Sequence, residues 1–235
     1  MRWLSLACLV VGLLFICPVF AQDELAPGKI LVADRDLKDP NFDQTVVYLI
    51  TYDEHGAVGL ILNRETDTPV SQILKGIKEA ANRKDFAFSG GPVENDSVLA
   101  LYRTNARKQG VHQISRDVSA LLDEKALKEA LADGASGAML RFFMGYAGWG
   151  PGQLEMEIEA GAWSVLSGDA KTVFDADPDT LWDRLNRRKD EHVVKNRGAG
   201  CQPAAGCQPA CAGIIQRARL AVAGLIHFTS IDRPA

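Results

Sequence analysis

The sequence predicts an α/β protein of mixed α+β type, built on one strongly curved mixed sheet with helices packed outside it. Three observations predict it. Short β-branched and aromatic runs recur between Lys29 and Leu166. Segments with helical spacing interleave with them, without the strict alternation that an all-parallel sheet requires. Two runs, Thr45 to Thr51 and Ala57 to Leu62, are hydrophobic almost without a break, the mark of strands buried on both faces.

In chain order, Lys29 to Ala33 reads as a short buried strand and Asp34 to Asp43 as a polar turn carrying Pro40. Thr45 to Thr51 and Ala57 to Leu62 flank Asp53-Glu54-His55-Gly56, so the pair reads as a β-hairpin. Pro69 to Arg83 places Val70, Ile73, Leu74 and Ile77 at amphipathic-helix spacing, with Asp67 or Thr68 as cap. Asp85 to Ser89, Ser97 to Tyr102 and Val111 to Ile114 read as strands. Glu124 to Ala132 is the clearest helix, capped by Asp123 and stopped by Gly134. Ala138 to Met144 is a strand, Gly145 to Gly152 a tight turn, Pro151 to Ala160 a helix and Trp163 to Leu166 a strand. Asp177-Pro178 opens a last helix through Asn186, with Leu181, Trp182 and Leu185 on one face.

The two ends differ from this body. Met1-Arg2 is a basic start, the stretch to Val19 is apolar apart from Ser5, and Val19-Phe20-Ala21 offers small residues before Gln22. That is the pattern of a cleaved secretory signal over residues 1–21, giving a periplasmic or secreted product that leaves no membrane segment behind. A retained, cytoplasmic protein is the alternative. Residues 22–188 are expected to form the α/β domain. Residues 189–235 are a Cys/Gly/Pro-rich linker and tail containing the duplication GCQPAA, GCQPAC. Cys201, Cys207 and Cys211 sit there, and an oxidising compartment would tend to pair two of them.

Charge and motifs exclude several classes. With 26 Lys and Arg against 30 Asp and Glu, the chain lacks the basic surface from which nucleic-acid affinity comes, so no direct nucleic-acid binding is expected. Four histidines show no zinc spacing, and no Walker loop, dinucleotide fingerprint or nucleophile elbow follows a strand. The Asp34 to Asp43 turn is rich in oxygen ligands but lacks the glycine and terminal glutamate of an EF-hand, and reads as side chains bonding their own backbone. No cofactor or metal is expected.

The block from Gly145 to Glu155, GYAGWGPGQLE, is the most unusual in the chain. With D39-P-N-F-D-Q-T-V-V-Y-L, G56-A-V-G-L-I-L-N-R, F88-S-G-G-P-V and G161-A-W, it closely resembles the YqgE/AlgH family of bacterial proteins. The resemblance spans Lys29 to Leu185. It implies a single α/β domain with a curved, partly barrel-like mixed sheet flanked by helices, and a family often described as transcriptional regulators, without assigned catalytic residues or cofactor. An exported copy cannot regulate by touching DNA.

Candidate site residues lie at the strand ends that carry this resemblance. Asn63 and Arg64, Ser89-Gly90-Gly91, and Tyr146, Gly148, Trp149 and Gly150 could line one pocket if those ends converge, with Arg64 reading a carboxylate or phosphate. The glycine turn could instead offer N–H groups to an anion, which Glu155, Glu157 and Glu159 would oppose. Glu155 is the most attractive general base of the three; their alternative is a solvated helix exterior with Leu154 and Ile158 inward. The expected function is a non-catalytic regulatory or accessory binding module for a protein or small molecule, its oligomeric state open. Two alternatives stay open: an unrecognised hydrolase or transferase using Asn63, Arg64, Tyr146 and Glu155, and an unprocessed cytosolic regulator.

Overall fold

The computed structural model describes residues 24–188. The signal-like segment 1–21 and the tail 189–235, with its three cysteines, lie outside the described residues.

The chain opens with β1 (Lys29–Ala33), the hairpin β2 (Val46–Asp53) and β3 (Gly56–Ile61), then β4 (Glu65–Pro69) and the single turn α1 (Val70–Ile73). A 3-10 turn at Lys78–Ala80 leads to β5 (Phe86–Ser89), β6 (Val93–Tyr102), β7 (Val111–Ser115) and β8 (Val118–Leu121). Then follow α2 (Glu124–Ala132), β9 (Leu140–Trp149), α3 (Gln153–Glu159), β10 (Trp163–Ser167) and α4 (Ala170–Val173), with residues 181–188 helical. The strands join in the order β10-β1-β2-β3-β9-β6-β8-β7, and β4 and β5 form a side branch against β9. Every pairing is antiparallel except β5 with β9.

The sheet curls into half a barrel. Tyr48, on β2, donates its hydroxyl to Ser115 Oγ on β7 at 3.0 Å, although these strands lie towards opposite ends of the strand order. Strand periodicity sorts the two faces into two cores. Leu99, Leu101 and Phe143 turn into the curl with Tyr48, Leu60 and Trp149, while Val98, Ala100, Leu140 and Phe142 turn outward beneath α2, against Leu127 and Leu131. β2 and β3 are buried through most of their length, as their unbroken hydrophobicity requires. Arg141 of β9 reaches the C-terminal segment, donating to the carbonyls of Val173 and Asp175 beneath the Phe88 ring.

The closing bond between Tyr48 and Ser115 makes a testable pH dependence. Burial pushes the Tyr48 phenol from 10.0 up to about 12, with the Ser115 bond opposing it. Below pH 10.0 the phenol is neutral folded or unfolded, so its contribution is whole there; above it the unfolded chain ionises first. Stability is therefore expected to fall by about 2–3 kcal/mol between the two pKa values. Urea denaturation at stepped alkaline pH checks this, and Tyr48→Phe is expected to remove that part of the slope. A slope unchanged in Tyr48→Phe would contradict the assignment.

Three sequence expectations need correction. The helix over Pro69 to Arg83 is only α1 and the 3-10 turn, because Gly76 (φ 97°) turns the chain left-handed. Neither Asp67 nor Thr68 caps α1: Pro69 holds the cap position with no side-chain bond, and both residues lie in β4. The turn read over Gly145 to Gly152 is confined to its end: β9 continues through Gly145 and Gly148 to Trp149, and the chain turns at Pro151 and Gly152 into α3. α2 matches its reading in full, with Asp123 Oδ1 accepting from Ala126 N at 2.7 Å.

Candidate functional site

One chain crossing brings the motif segments together. β5 runs parallel to β9, with Phe88 opposite Phe143 and Ser89 opposite Met144. The chain then passes over β9 and returns antiparallel along its other edge, Val93 opposite Tyr146. Two backbones cannot cross at this distance if either carries a side chain. A Cβ on Gly91 (φ 154°) would stand 2.2 Å from Tyr146 C and 2.3 Å from Ala147 N; one on Gly90 would stand 2.3 Å from Gly145 O. The crossing is tied by Gly90 N to Met144 O (2.8 Å) and Ile61 N to Gly90 O (2.9 Å), and Ser89 N bonds Arg64 O at 2.8 Å. The FSGGPV, GLILNR and GYAGW segments therefore meet here for a steric reason.

From the same end of β3, Asn63 and Arg64 reach back to the loop before β2. Asn63 Oδ1 accepts from Val46 N (2.9 Å) and its Nδ2 donates to Gln44 O (2.8 Å). The Arg64 guanidinium donates to the carbonyls of Asn41 (2.8 Å), Asp43 (3.2 Å) and Pro40 (3.5 Å). Within that loop Asp39 Oδ1 accepts from Asn41 N at 2.8 Å and Asp34 Oδ1 from Asp36 N at 3.1 Å, the self-bonding turn that the sequence suggests. Gln44 leaves the loop in the left-handed region, φ 53°.

The loop so held carries Phe42 onto the indoles. Its ring stacks on Trp149 (centroids 5.8 Å, 21°) and stands across Trp163 (5.5 Å, 74°); the two indoles are perpendicular at 5.9 Å. Glu157 of α3 joins them at their N–H edges. Its Oε2 accepts both indole N–H groups, from Trp149 at 2.9 Å and Trp163 at 2.8 Å. Its Oε1 accepts Gln153 Nε2 at 2.9 Å, and Gln153 Oε1 accepts the Gly150 N–H at 3.1 Å. Each donor is thus spent on a carboxylate or on the start of α3 itself.

The other candidates take up structural positions. Tyr146 is fully buried, Gly148 pairs with Val58 and Trp149 with Ala57 across β3 and β9. Glu155 accepts the Tyr52 hydroxyl at 2.5 Å, a bond that raises the Tyr52 pKa. The α3 face is not wholly solvated: Leu154 is buried, Ile158 packs on the core, and Glu155 and Glu157 are both half-buried. Among the described residues no group of three or more His, Cys, Asp or Glu is placed to hold a metal, and no helix is long and apolar enough to cross a membrane. A polar depression of about 380 Å³ lies elsewhere, between Lys108, Gln109, Asp123, Lys125 and Glu129.

Sequence reasoning singled out Trp149 and missed the residues that complete its surroundings: Phe42, Gln153, Trp163 and the choice of Glu157 over Glu155. One signal was available. Gln153 and Glu157 are four apart on α3, hence on one face, directly after the tryptophan.

Comparison with known proteins agrees with this architecture. Residues 30–193 match the profile of the DUF179 family, described as AlgH-like. A UPF0301 protein of Streptomyces avermitilis is 42% identical over 172 residues, which is 71% of this chain and 88% of that protein. A UPF0301 protein of Chlorobaculum tepidum is 34% identical over 166 residues, covering 70% and 87% respectively. The solution structure of the AlgH protein from Pseudomonas aeruginosa superposes with a TM-score of 0.57 at 27% identity, over 76% of this chain and 95% of that one. A crystal structure from Corynebacterium diphtheriae shares the fold, with a TM-score of 0.61 at 24% identity over 71% and 88%. The chain belongs to the AlgH-like DUF179 family.

Proposed function

We propose that the protein is a non-catalytic regulatory or accessory binding module, exported after cleavage before Gln22, with its binding region at the converging strand ends. One observation supports the non-catalytic reading. Four polar side chains at the crossing and the indole cluster are engaged in holding backbone or one another: Asn63 and Arg64 on the 39–44 loop, Gln153 on Gly150, Glu157 on both indoles. General acid–base or nucleophilic chemistry needs a group within reach of a reacting atom, and these groups already have partners. A binding module needs only a shaped, stable surface.

The test combines equilibrium dialysis of the purified protein against a metabolite extract of its host with mass spectrometry of both compartments. Retention of a compound without its conversion is the expected result. Conversion that disappears in Arg64→Ala would replace this reading with an enzyme. For the compartment, N-terminal sequencing from the native host is expected to begin at Gln22 in the exported fraction; a cytosolic protein still carrying Met1 would overturn export.

A further inference from the structure

The charge of this chain is unevenly divided. Residues 24–188 carry 26 Asp and Glu against 19 Lys and Arg, whereas residues 192–231 carry Lys195, Arg197, Arg217 and Arg219 and no acid at all. Within that stretch Ile214 to Phe228 is also strongly apolar, with Leu220, Val222, Leu225 and Ile226 following the two arginines. The segment lies outside the described residues and past the part of the chain that the family profile covers.

The body offers a surface of the complementary kind on the outer side of α3. Gly152, Met156 and Glu159 are exposed and lie four and three apart, hence along one line of the helix. Met156 is 63% exposed, more than Phe86 (41%) or Met139 (42%), the other exposed large hydrophobics among the described residues. Beside it Glu155 accepts the Tyr52 hydroxyl, whose pKa is raised first by that bond and, after burial, by the charges of Glu155 and Glu24. The hairpin tip lies alongside: Gly56 packs on the Trp149 and Gly150 backbone with no room for a Cβ, and Asp53 and Glu54 are exposed. Residues 24–28, 50–62 and 149–162, which build this surface, contain no Lys or Arg. An exposed methionine thus shares a surface with Glu24, Asp53, Glu54, Glu155 and Glu159, and these segments supply no cation to balance them.

The chain leaves the body from the same quarter. In the last helix, residues 181–188, Trp182 donates to Ala33 O at 2.8 Å. Ala33 stands opposite Trp163, and Ala162, just past α3, donates its N–H to Glu157 O at 2.9 Å. The 25 residues from 189 to 213 reach up to about 80 Å, roughly twice the width of a domain of this size. A connection of that length holds the next segment at roughly millimolar effective concentration, so even a weak contact is occupied. We infer that Ile214–Phe228 docks on α3 and the hairpin tip of its own chain, its apolar side chains on Met156 and its arginines on the surrounding carboxylates. A basic, apolar partner from outside must displace it to reach this face. The inference stands apart from the binding-module reading and does not need it.

Photo-crosslinking tests this in the chain from Gln22 with benzoylphenylalanine in place of Leu220, the products being mapped by mass spectrometry. Crosslinks within one chain, to Met156 and to residues 52–56, are expected. Their yield is expected to fall at least about fivefold in Glu54→Lys/Glu159→Lys, in Arg217→Glu/Arg219→Glu and in about 1 M salt, and to recover when the two pairs of reversals are combined. Glu54 and Glu159 are exposed, so their variant is expected to keep the circular dichroism and denaturation midpoint of the unaltered protein. Crosslinks between two chains would assign the face to a second copy and overturn the inference. Crosslinks elsewhere on the body, a yield indifferent to the reversals, or no crosslink at all would overturn it equally.

Discussion

Replacing Gly91 by alanine is expected to cost about 4 kcal/mol or more, a large share of the stability of a typical domain. The added methyl would enter the Tyr146–Ala147 peptide, 2.2 Å from one atom and 2.3 Å from the next, at a φ of 154°. Neither obstacle is a flexible side chain, so relief requires one backbone to leave the other and the pairing of β5 and β6 with β9 to open. Gly152→Ala is the control. It also sits at positive φ (73°), but nothing lies within 4 Å of its added Cβ, so it is expected to cost about 1 kcal/mol through backbone strain alone. Chemical denaturation of both variants checks the contrast, and equal losses would mean that the crossing is not the source.

Glu157→Ala is expected to cost about 3–5 kcal/mol, because it strands two indole N–H groups beside buried rings and frees the Gln153 amide that orders the start of α3. Glu157→Gln keeps an oxygen that can accept one indole and is expected to lose about half as much. Glu159→Ala, two residues on and exposed, is expected to change stability by less than about 0.5 kcal/mol. Tryptophan fluorescence reports directly on the site, and a red shift in Glu157→Ala but not in Glu159→Ala is the expected signature. Comparable stability of the two alanine variants would contradict the role given to Glu157.

Local pattern made most elements legible, and its failures share a cause. The hairpin at Asp53 to Gly56, the capped α2 and the buried strands β1 to β3 follow from residues near one another in sequence. The Pro69 to Arg83 segment was right about burial and wrong about structure. Val70, Leu74 and Ile77 are 0%, 4% and 8% exposed, yet Gly76 divides them between a helical turn and irregular chain. Apolar spacing reports which residues face the core, not which backbone carries them there. The glycines after Met144 were read as a turn because glycine supplies positive φ or close approach, and sequence does not say which. In β9 both apply at Gly145, which sits at φ 69° and whose added Cβ would stand 2.7 Å from Gly91 O, a neighbour more than fifty residues away in the chain. The same non-locality hid Phe42, whose partners come from β9 and β10. Asn63 and Arg64 were legible as neighbours of the site, but their bonds run to main-chain carbonyls, which leave no mark on the sequence.

A double-mutant cycle between Arg64 and Phe42 tests most directly whether these motifs act as one unit. Arg64 holds the carbonyls on either side of Phe42 and does not bond its ring, so the two can communicate only through the seating of the loop on the indoles. Chemical denaturation of Arg64→Ala, Phe42→Ala and the pair is expected to give a coupling of about 1 kcal/mol, the second change costing less once the first is made. Strictly additive losses would show that Arg64 does not seat Phe42, and the joined site would come apart.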